Sequence, residues 1–306
     1  MSSVTPKCAV TTSVVGGLGN QLFLIANLLA TARRNNIPAV LQRELWSSSC
    51  EAPRPTYWSS LFENLAAHGV GDSVPPLSSV VVPETRPISY VTLDCTKSCV
   101  YNMVGFFQSE QYFDDYPIIK QVLSPRLVGV AKQHLSVNYK VEEDTHTVAM
   151  HIRKGDYLRM GDVFENLPID FYDVALSQLL GAFLWRHRPA AGPTVQLLVF
   201  CEEETEGDLV VGYFKTKYPA IDVQLIHPKN ETAAALDVGA HQPREVVELL
   251  MMSQCNDVIM ANSTFSWWGA YLNHRPLKRV VAPSKWFVKD PYPLSNHLYC
   301  NNWVLL

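Results

Sequence analysis

The chain lacks an excess of charge of one sign, a long apolar run and a paired-cysteine pattern, and each absence removes a class of protein. Its 306 residues carry 25 Lys and Arg against 29 Asp and Glu, for a formal net charge of -4. That balance gives no support to a general binder of nucleic acid or of an anionic membrane, both of which need a basic field. One basic pocket is still allowed, because an average charge says little about a single cleft. A bilayer span takes about 20 predominantly apolar residues. Leu22 to Ala32 is mostly apolar but much shorter, and Asn27 interrupts it. The seven cysteines, Cys8, Cys50, Cys95, Cys99, Cys201, Cys255 and Cys300, are odd in number and widely spaced. They do not read as a disulfide framework for a chain of this length, and free structural thiols are expected. Cys95-Thr-Lys-Ser-Cys99 reads as a disulfide or as a metal half-site without a second half of convincing spacing, and His227 and His241 make no recognisable metal pair.

What is present describes a folded globular protein. Charged residues make up 18%, and 12 Phe, 13 Tyr and 7 Trp supply large apolar side chains. The length favours two domains over one. Cys8 to Val15 reads as a first strand, followed by glycines at 16, 17 and 19 and a helix over Leu22 to Arg34. Arg33 and Arg34 suit its negative C-terminal end. The glycine spacing is not the dinucleotide fingerprint G-x-G-x-x-G, and a packing turn is the alternative to a ligand-approach turn. Ile37 to Leu41 predicts a second strand, and Trp58, Leu61, Phe62 and Leu65 a short helical stripe facing the core. The Ser- and Pro-rich segments on either side, including 69–87 with its strand-like Val80-Val81-Val82, read as irregular connections; such connections often form the acceptor rim of two-domain enzymes, a role that composition alone does not assign. Tyr101 to Phe107 predicts a further strand and 118–139 a helical crossover. The charged interval Lys140 to Thr147 predicts the domain boundary, with domains over 1–143 and 144–306.

The second half alternates clearly. Strands are expected at 148–152, 195–200, 221–226, 258–261 and 278–282, and helices at 169–186, 209–218, after Pro243 and at 265–272. This order points to a Rossmann-like parallel sheet with both faces covered. Its organising stretch is Val148-Ala149-Met150-His151-Ile152-Arg153-Lys154-Gly155-Asp156-Tyr157, a buried strand ending abruptly in polar residues. Ligands of open α/β sheets bind at the carboxyl ends of strands. Arg153 offers a planar donor fork to phosphate or carboxylate, and Lys154 adds a second positive charge. The residues alone therefore suggest an enzyme handling an anionic, phosphate-bearing donor, with exposed ion pairing as the alternative for either cation.

Four stretches occur in one order: Gly16-Gly17-Leu18-Gly19-Asn20-Gln21-Leu22-Phe23, Gly105-Phe106-Phe107-Gln108-Ser109-Glu110, His151-Ile152-Arg153-Lys154-Gly155-Asp156-Tyr157 and Ala261-Asn262-Ser263-Thr264-Phe265-Ser266-Trp267-Trp268-Gly269-Ala270. Together, from about Val14 to Phe287, they resemble the glycosyltransferase family 11 fucosyltransferases, usually described as galactoside alpha-1,2-fucosyltransferases. The resemblance implies an α/β, GT-B-like architecture of two facing Rossmann-like domains with mainly parallel sheets. It implies GDP-beta-L-fucose as donor substrate, bound by the C-terminal domain, with the N-terminal domain on the acceptor side. The implied reaction moves fucose with inversion to the 2-hydroxyl of a terminal beta-galactoside, with no metal and no other cofactor. The lack of an Asp-x-Asp motif agrees with that chemistry.

Under this resemblance Arg153 fixes the beta-phosphate of the departing GDP, where an oriented cation stabilises the growing negative charge. Lys154 reinforces the field, although the family more often has a second arginine there. His151 contacts the donor or orients Arg153, against the alternative of a buried histidine satisfying the backbone. A general base must reach the acceptor hydroxyl. Asp162 is the preferred candidate over Asp156, which is expected to brace the loop or face the sugar hydroxyls; the alternatives are a solvated loop residue at Asp162 and catalysis by phosphate stabilisation with no strong protein base. Asn262, Ser263, Thr264 and Ser266 are expected to hold diphosphate oxygens at a helix N-terminus, with helix capping as the alternative. Gly17 and Asn20 are expected at the cleft. Glu202, in Cys201-Glu202-Glu203 where the family commonly has Ser-Asp-Asp, is a candidate for guanine or ribose recognition. Trp267 and Trp268 are either a sugar or guanine wall or core packing. As the sequence stands the expected location is cytoplasmic, or the Golgi or another membrane compartment if an anchor was removed or a partner recruits the chain. A transferase with another donor or acceptor, and an inactive nucleotide-sugar-binding regulator, are the alternative readings.

Overall fold

The computed structural model describes residues 8–44, 46–47, 54–85, 87–115, 119–187, 194–230, 242–289 and 295–306. Two compact units divide the chain, Met1–Pro125 and Arg126–Leu306. Among the described residues no helix is long and apolar enough to cross a membrane.

In the first unit, β1 (Cys8–Thr12), β4 (Ser78–Pro83) and β5 (Cys99–Val104) form a parallel sheet in the order β1-β5-β4. The minor elements are β2 (Trp46–Ser47), paired antiparallel with β3 (Arg54–Pro55), and the short helix α2 (Ile119–Val122). Helix α1 (Leu18–Asn35) starts directly after Gly17 and includes Gly19, earlier than the apolar pattern predicts. It is buried almost all round from Leu18 to Ala32, as expected of a helix that is apolar on every side. Its end is set by Asn36 in the left-handed conformation, whose amide reaches back to the carbonyls of Ala32 and Arg33. The strand expected at 37–41 is reduced to two isolated bridges, Val10 to Ala39 and Val40 to Gly71. Pro38 has no amide to extend a ladder there. Residues 58–65 form turns closed by i→i+3 bonds such as Ser60 to Tyr57 and Glu63 to Ser60, in place of the expected helix. Leu61, Phe62 and Leu65 are nevertheless core residues.

The second unit contains α3 (Pro125–Tyr139), β6 (His146–Ile152), α4 (Ile169–His187), β7 (Val195–Cys201), α5 (Glu204–Lys217), β8 (Asp222–Ile226), α6 (Arg244–Met252), β9 (Asp257–Ile259), α7 (Thr264–Tyr271), β10 (Arg279–Ala282), α8 (Ser295–Leu298) and β11 (Val304–Leu305). Six strands form one sheet in the order β8-β7-β6-β9-β10-β11, parallel throughout. Counted from β6 this is the doubly wound order 3-2-1-4-5-6, whose switch point falls between β6 and β9. Continuous burial along β6 and β7 is what a parallel strand covered on both faces requires.

The division of the chain falls in the first turn of α3, between Pro125 and Arg126, ahead of the charged interval expected to hold it. Charge marked an exposed loop, but the helix before that loop belongs to the second unit. Gln196 and Gln224 both donate from Nε2 to the Tyr139 carbonyl, at 2.8 and 3.2 Å, and the His227 amide donates to the Tyr139 hydroxyl at 3.1 Å. Cys8, Cys95, Cys99, Cys201, Cys255 and Cys300 are thiols, not disulfides, and all but the partly exposed Cys95 are buried. Cys50 and His241 lie outside the described residues.

Candidate functional site

The switch point of the six-stranded sheet gathers the polar residues that follow β6 and β9. His151 is the penultimate residue of β6 and is only 6% exposed. Its ring packs 5.3 Å from Phe265, in the first turn of α7, and its Nδ1 is buried without a hydrogen-bond partner. Burial first, and the Arg153 charge second, push its pKa down to about 3, so the imidazole is neutral at physiological pH.

Arg153 leaves the strand at the sheet's carboxyl edge. The register pairs Ile152 with Cys201, which brings the following residues, Arg153 and Glu202, side by side. Arg153 Nη1 donates to Glu202 Oε2 at 2.6 Å, and the guanidinium carbon lies 5.2 Å from the centre of the Tyr157 ring. The cation is therefore oriented by a carboxylate and an aromatic face, with 21% of its side chain still exposed. Gly155 turns the chain at φ +36, in the left-handed region that glycine adopts at least cost. Lys154 does not extend into the same space: its Nζ donates to the Leu167 carbonyl at 3.2 Å, closing the 154–167 loop on itself. Asp162 is exposed on that loop and makes no hydrogen bond or ion pair among the described residues. The side chain of Asp156 lies outside the described residues.

The β9 side of the switch point is a framework of internal bonds. Asn262 is 1% exposed, and its Nδ2 donates to the carbonyls of Glu165 and Trp286, both at 2.8 Å. Its own carbonyl accepts the Tyr157 hydroxyl at 3.1 Å. Ser263 caps α7 by accepting the Phe265 amide at 3.3 Å, and the fully buried Ser266 donates to the carbonyls of Ala261 and Ser263. These three side chains thus bond within the protein and build the turn, Ser263 as the helix cap. Thr264, the first residue of α7, is partly exposed. Trp267 and Trp268 are completely buried in an aromatic core with Tyr271 and Trp303, so neither is a ligand wall.

Tyr157 is the joint that residue types alone did not reveal. It links the β6 and β9 loops through its hydroxyl, faces Arg153, and stacks on Phe164 at 4.1 Å with the rings 10° apart. No local pattern distinguishes such a tyrosine from a core one, since its partners lie up to about a hundred residues away in sequence.

In the first unit the glycine turn is organised around Asn20 and Gln21. Gly16 has φ +76, and a Cβ there would lie 2.8 Å from Asn20 Nδ2, so a side chain would meet both strain and a clash. A Cβ on Gly17 would meet no atom within 4 Å. Asn20 Oδ1 accepts Gln108 Nε2 at 2.9 Å, and Gln21 Nε2 ties Gly16 to Pro55 through their carbonyls. Glu84, inconspicuous in a Pro-rich stretch, accepts the Phe106 and Phe107 amides at 2.9 and 3.0 Å and so shapes the 105–110 loop. Its effect is on backbone groups, which sequence does not display.

Residues 228–306 match the family described as Glycosyl transferase family 11. An Escherichia coli O-antigen biosynthesis glycosyltransferase, WbnK, is 26% identical over 167 residues, covering 54% of this chain and 46% of that protein. An alpha-1,2-colitosyltransferase of the same species is 26% identical over 193 residues, covering 61% of this chain and 56% of that protein. The matches thus span about half the length of these relatives. The fold is similar to that of POFUT1 in complex with GDP, with a TM-score of 0.55 at 12% identity, covering 92% of this chain and 99% of that one. It is also similar to that of the fucosyltransferase NodZ from Bradyrhizobium, with a TM-score of 0.53 at 12% identity, covering 88% and 93%.

Proposed function

From a chain whose motifs and C-terminal match both support glycosyltransferase family 11, we propose an inverting transfer of L-fucose from GDP-beta-L-fucose to the 2-hydroxyl of a terminal beta-galactoside. The carrying observation is the convergence, at one sheet switch point, of an oriented arginine, a neutral buried histidine and a helix N-terminus. Such a set is matched to a diphosphate: the guanidinium supplies a fork and a charge, and the helix end adds a favourable field.

In this reading the donor's diphosphate takes the place of Glu202 on Arg153. As the acceptor oxygen attacks the sugar carbon and the bond to the beta-phosphate breaks, Arg153 stabilises the charge left on GDP. His151, kept neutral, contributes a polar contact without adding a second fixed charge. Lys154 positions the loop, and Asp162 on that loop is the proposed base. Asp162→Asn then lowers the single-turnover rate more than donor affinity, and an unchanged rate rejects the assignment. Asn262, Ser263 and Ser266 serve by holding the turn, while Thr264 and the first amides of α7 face the phosphates.

The test is product-resolved transfer from GDP-fucose to a panel of beta-galactosides in the presence of EDTA. An alpha-1,2-linked product supports donor, linkage and metal independence together, and absence of transfer with any galactoside rejects the reading. A second reading comes from the colitosyltransferase relative, namely the same linkage with a different sugar. A colitose donor consumed faster than GDP-fucose would favour it.

A further inference from the structure

The first unit contains a polar cavity, remote in sequence from the cationic loop and without its positive charge. It has a volume of about 240 Å³, and the thirteen described residues that line it lie between Thr11 and Asn102. Its base is one face of the β1-β5-β4 sheet: Thr11 is paired with Asn102, and Val100 lies two residues before Asn102 and so on the same face. Its wall is Trp58, partly exposed, with Gln42 and Glu44. The indole is fixed, because Trp58 Nε1 donates to the Glu44 carbonyl at 2.6 Å and the ring packs 5.7 Å from Phe62. Thr56 bonds the same carbonyl from its hydroxyl. An anchored aromatic surface therefore stands beside amide, hydroxyl and carboxylate groups.

Two properties select the ligand. Among the described residues that line it none is Lys, Arg or His and one is Glu, so the described lining disfavours an anion. Drug-sized ligands occupy pockets of about 300–1,000 Å³, so this cavity is scaled to a single ring. A hexopyranose meets both requirements, with an apolar C–H face for an indole and hydroxyls for Gln, Asn, Thr and Glu. We propose that this cavity binds one neutral hexopyranose, the terminal residue of the acceptor glycan, and that Glu44 excludes acidic sugars from it. The assignment to the acceptor rests on the proposed transfer reaction; the preference for a neutral sugar rests on the lining residues alone.

Saturation-transfer NMR on the full chain, with no nucleotide present, reads the cavity directly. The probes are methyl beta-galactopyranoside, methyl beta-glucopyranoside and galacturonate, each titrated well past the about 1 mM Kd of a weak single-site ligand. At least one neutral pyranoside is expected to bind and galacturonate to bind at least about tenfold more weakly. Trp58→Ala and Asn102→Ala, both checked for folding by circular dichroism, are expected to raise the neutral sugar's Kd about tenfold or more, as loss of an anchoring contact does. Glu44→Gln is expected to narrow the gap to galacturonate. No binding of any neutral pyranoside, equal binding of galacturonate, or wild-type affinity in both Trp58→Ala and Asn102→Ala overturns the proposal. GDP calorimetry and transfer assays on the same proteins separate the two readings. Sugar binding that both variants weaken, in a chain that neither binds GDP nor transfers fucose, leaves the cavity and removes the transferase. Intact transfer with unchanged acceptor KM in both variants does the reverse.

Discussion

The two ends of strand β6 carry histidines five positions apart, and their surroundings differ in kind. At the amino end, His146 Nε2 lies 2.8 Å from Asp257 Oδ2 and its ring packs 4.1 Å from Phe183. Arg279 holds the same carboxylate from Nε at 3.1 Å and through a second guanidinium nitrogen. Burial alone would raise the Asp257 pKa, but the hydrogen bonds and charges of His146 and Arg279 outweigh it and hold the carboxyl below the usual range. At the carboxyl end, His151 Nδ1 has no partner, Arg153 is partly exposed, and the carboxylate holding it, Glu202, is 59% exposed. At the amino end the carboxylate is buried between its partners and ties strands together, although Arg279 Nη1 has no hydrogen-bond partner of its own. At the carboxyl end the carboxylate on Arg153 is exposed, so a ligand can take its place beside the unpartnered imidazole nitrogen.

The largest expected break between the two ends is at Arg153. Arg153→Ala removes fork and charge together and should lower the rate of transfer by about a thousandfold or more with little change in thermal stability. Near-normal turnover at saturating substrates would remove Arg153 from the chemistry. At the other end, Asp257→Asn leaves Arg279 at a buried edge without its carboxylate and should cost about 3–5 kcal/mol in urea unfolding. Turnover per folded molecule should be unchanged, and a selective loss of rate would mean that the amino edge also serves the reaction.

The pH dependence of stability distinguishes the same two groups. The unfolded chain protonates His151 below about pH 6.5, whereas the folded chain resists until about pH 3. Folding stability therefore falls as pH drops through that window, by roughly 1.4 kcal/mol per pH unit for this one group. His151→Gln should flatten the slope between pH 6.5 and 4, and an unaltered slope would show that the imidazole does not stay neutral. Asp257 acts in the same direction but lower: its contribution is complete above the ordinary value of 3.8 and is lost as pH falls through its depressed folded value. The smallest effect is expected at Asn262. Asn262→Ala frees the Glu165 and Trp286 carbonyls and should cost about 1–3 kcal/mol of stability. GDP affinity should weaken only modestly if the side chain positions the turn, and a loss as large as that of Arg153→Ala would make it a direct ligand contact.

Alternation of apolar strands and helices was enough to predict the parallel sheet of the second unit, because strands covered on both faces must be continuously apolar. The abrupt change at Arg153 marked the carboxyl edge for the same reason. Motifs spread across the chain pointed to family 11, and a match over residues 228–306 agrees. Roles within those motifs depended on distant partners. Lys154 turns to the Leu167 carbonyl, Asn262 to Glu165 and Trp286, and Ser266 to its own turn, while Glu84 enters through backbone amides. Short-range pattern, charge balance and the class of the fold were set by the sequence by itself, since they depend on the period and polarity of neighbouring residues. Which polar groups bond inward and which are left for a ligand was decided only by the tertiary structure, because a hydrogen bond is a matter of distance and direction between groups that the chain brings together from far apart.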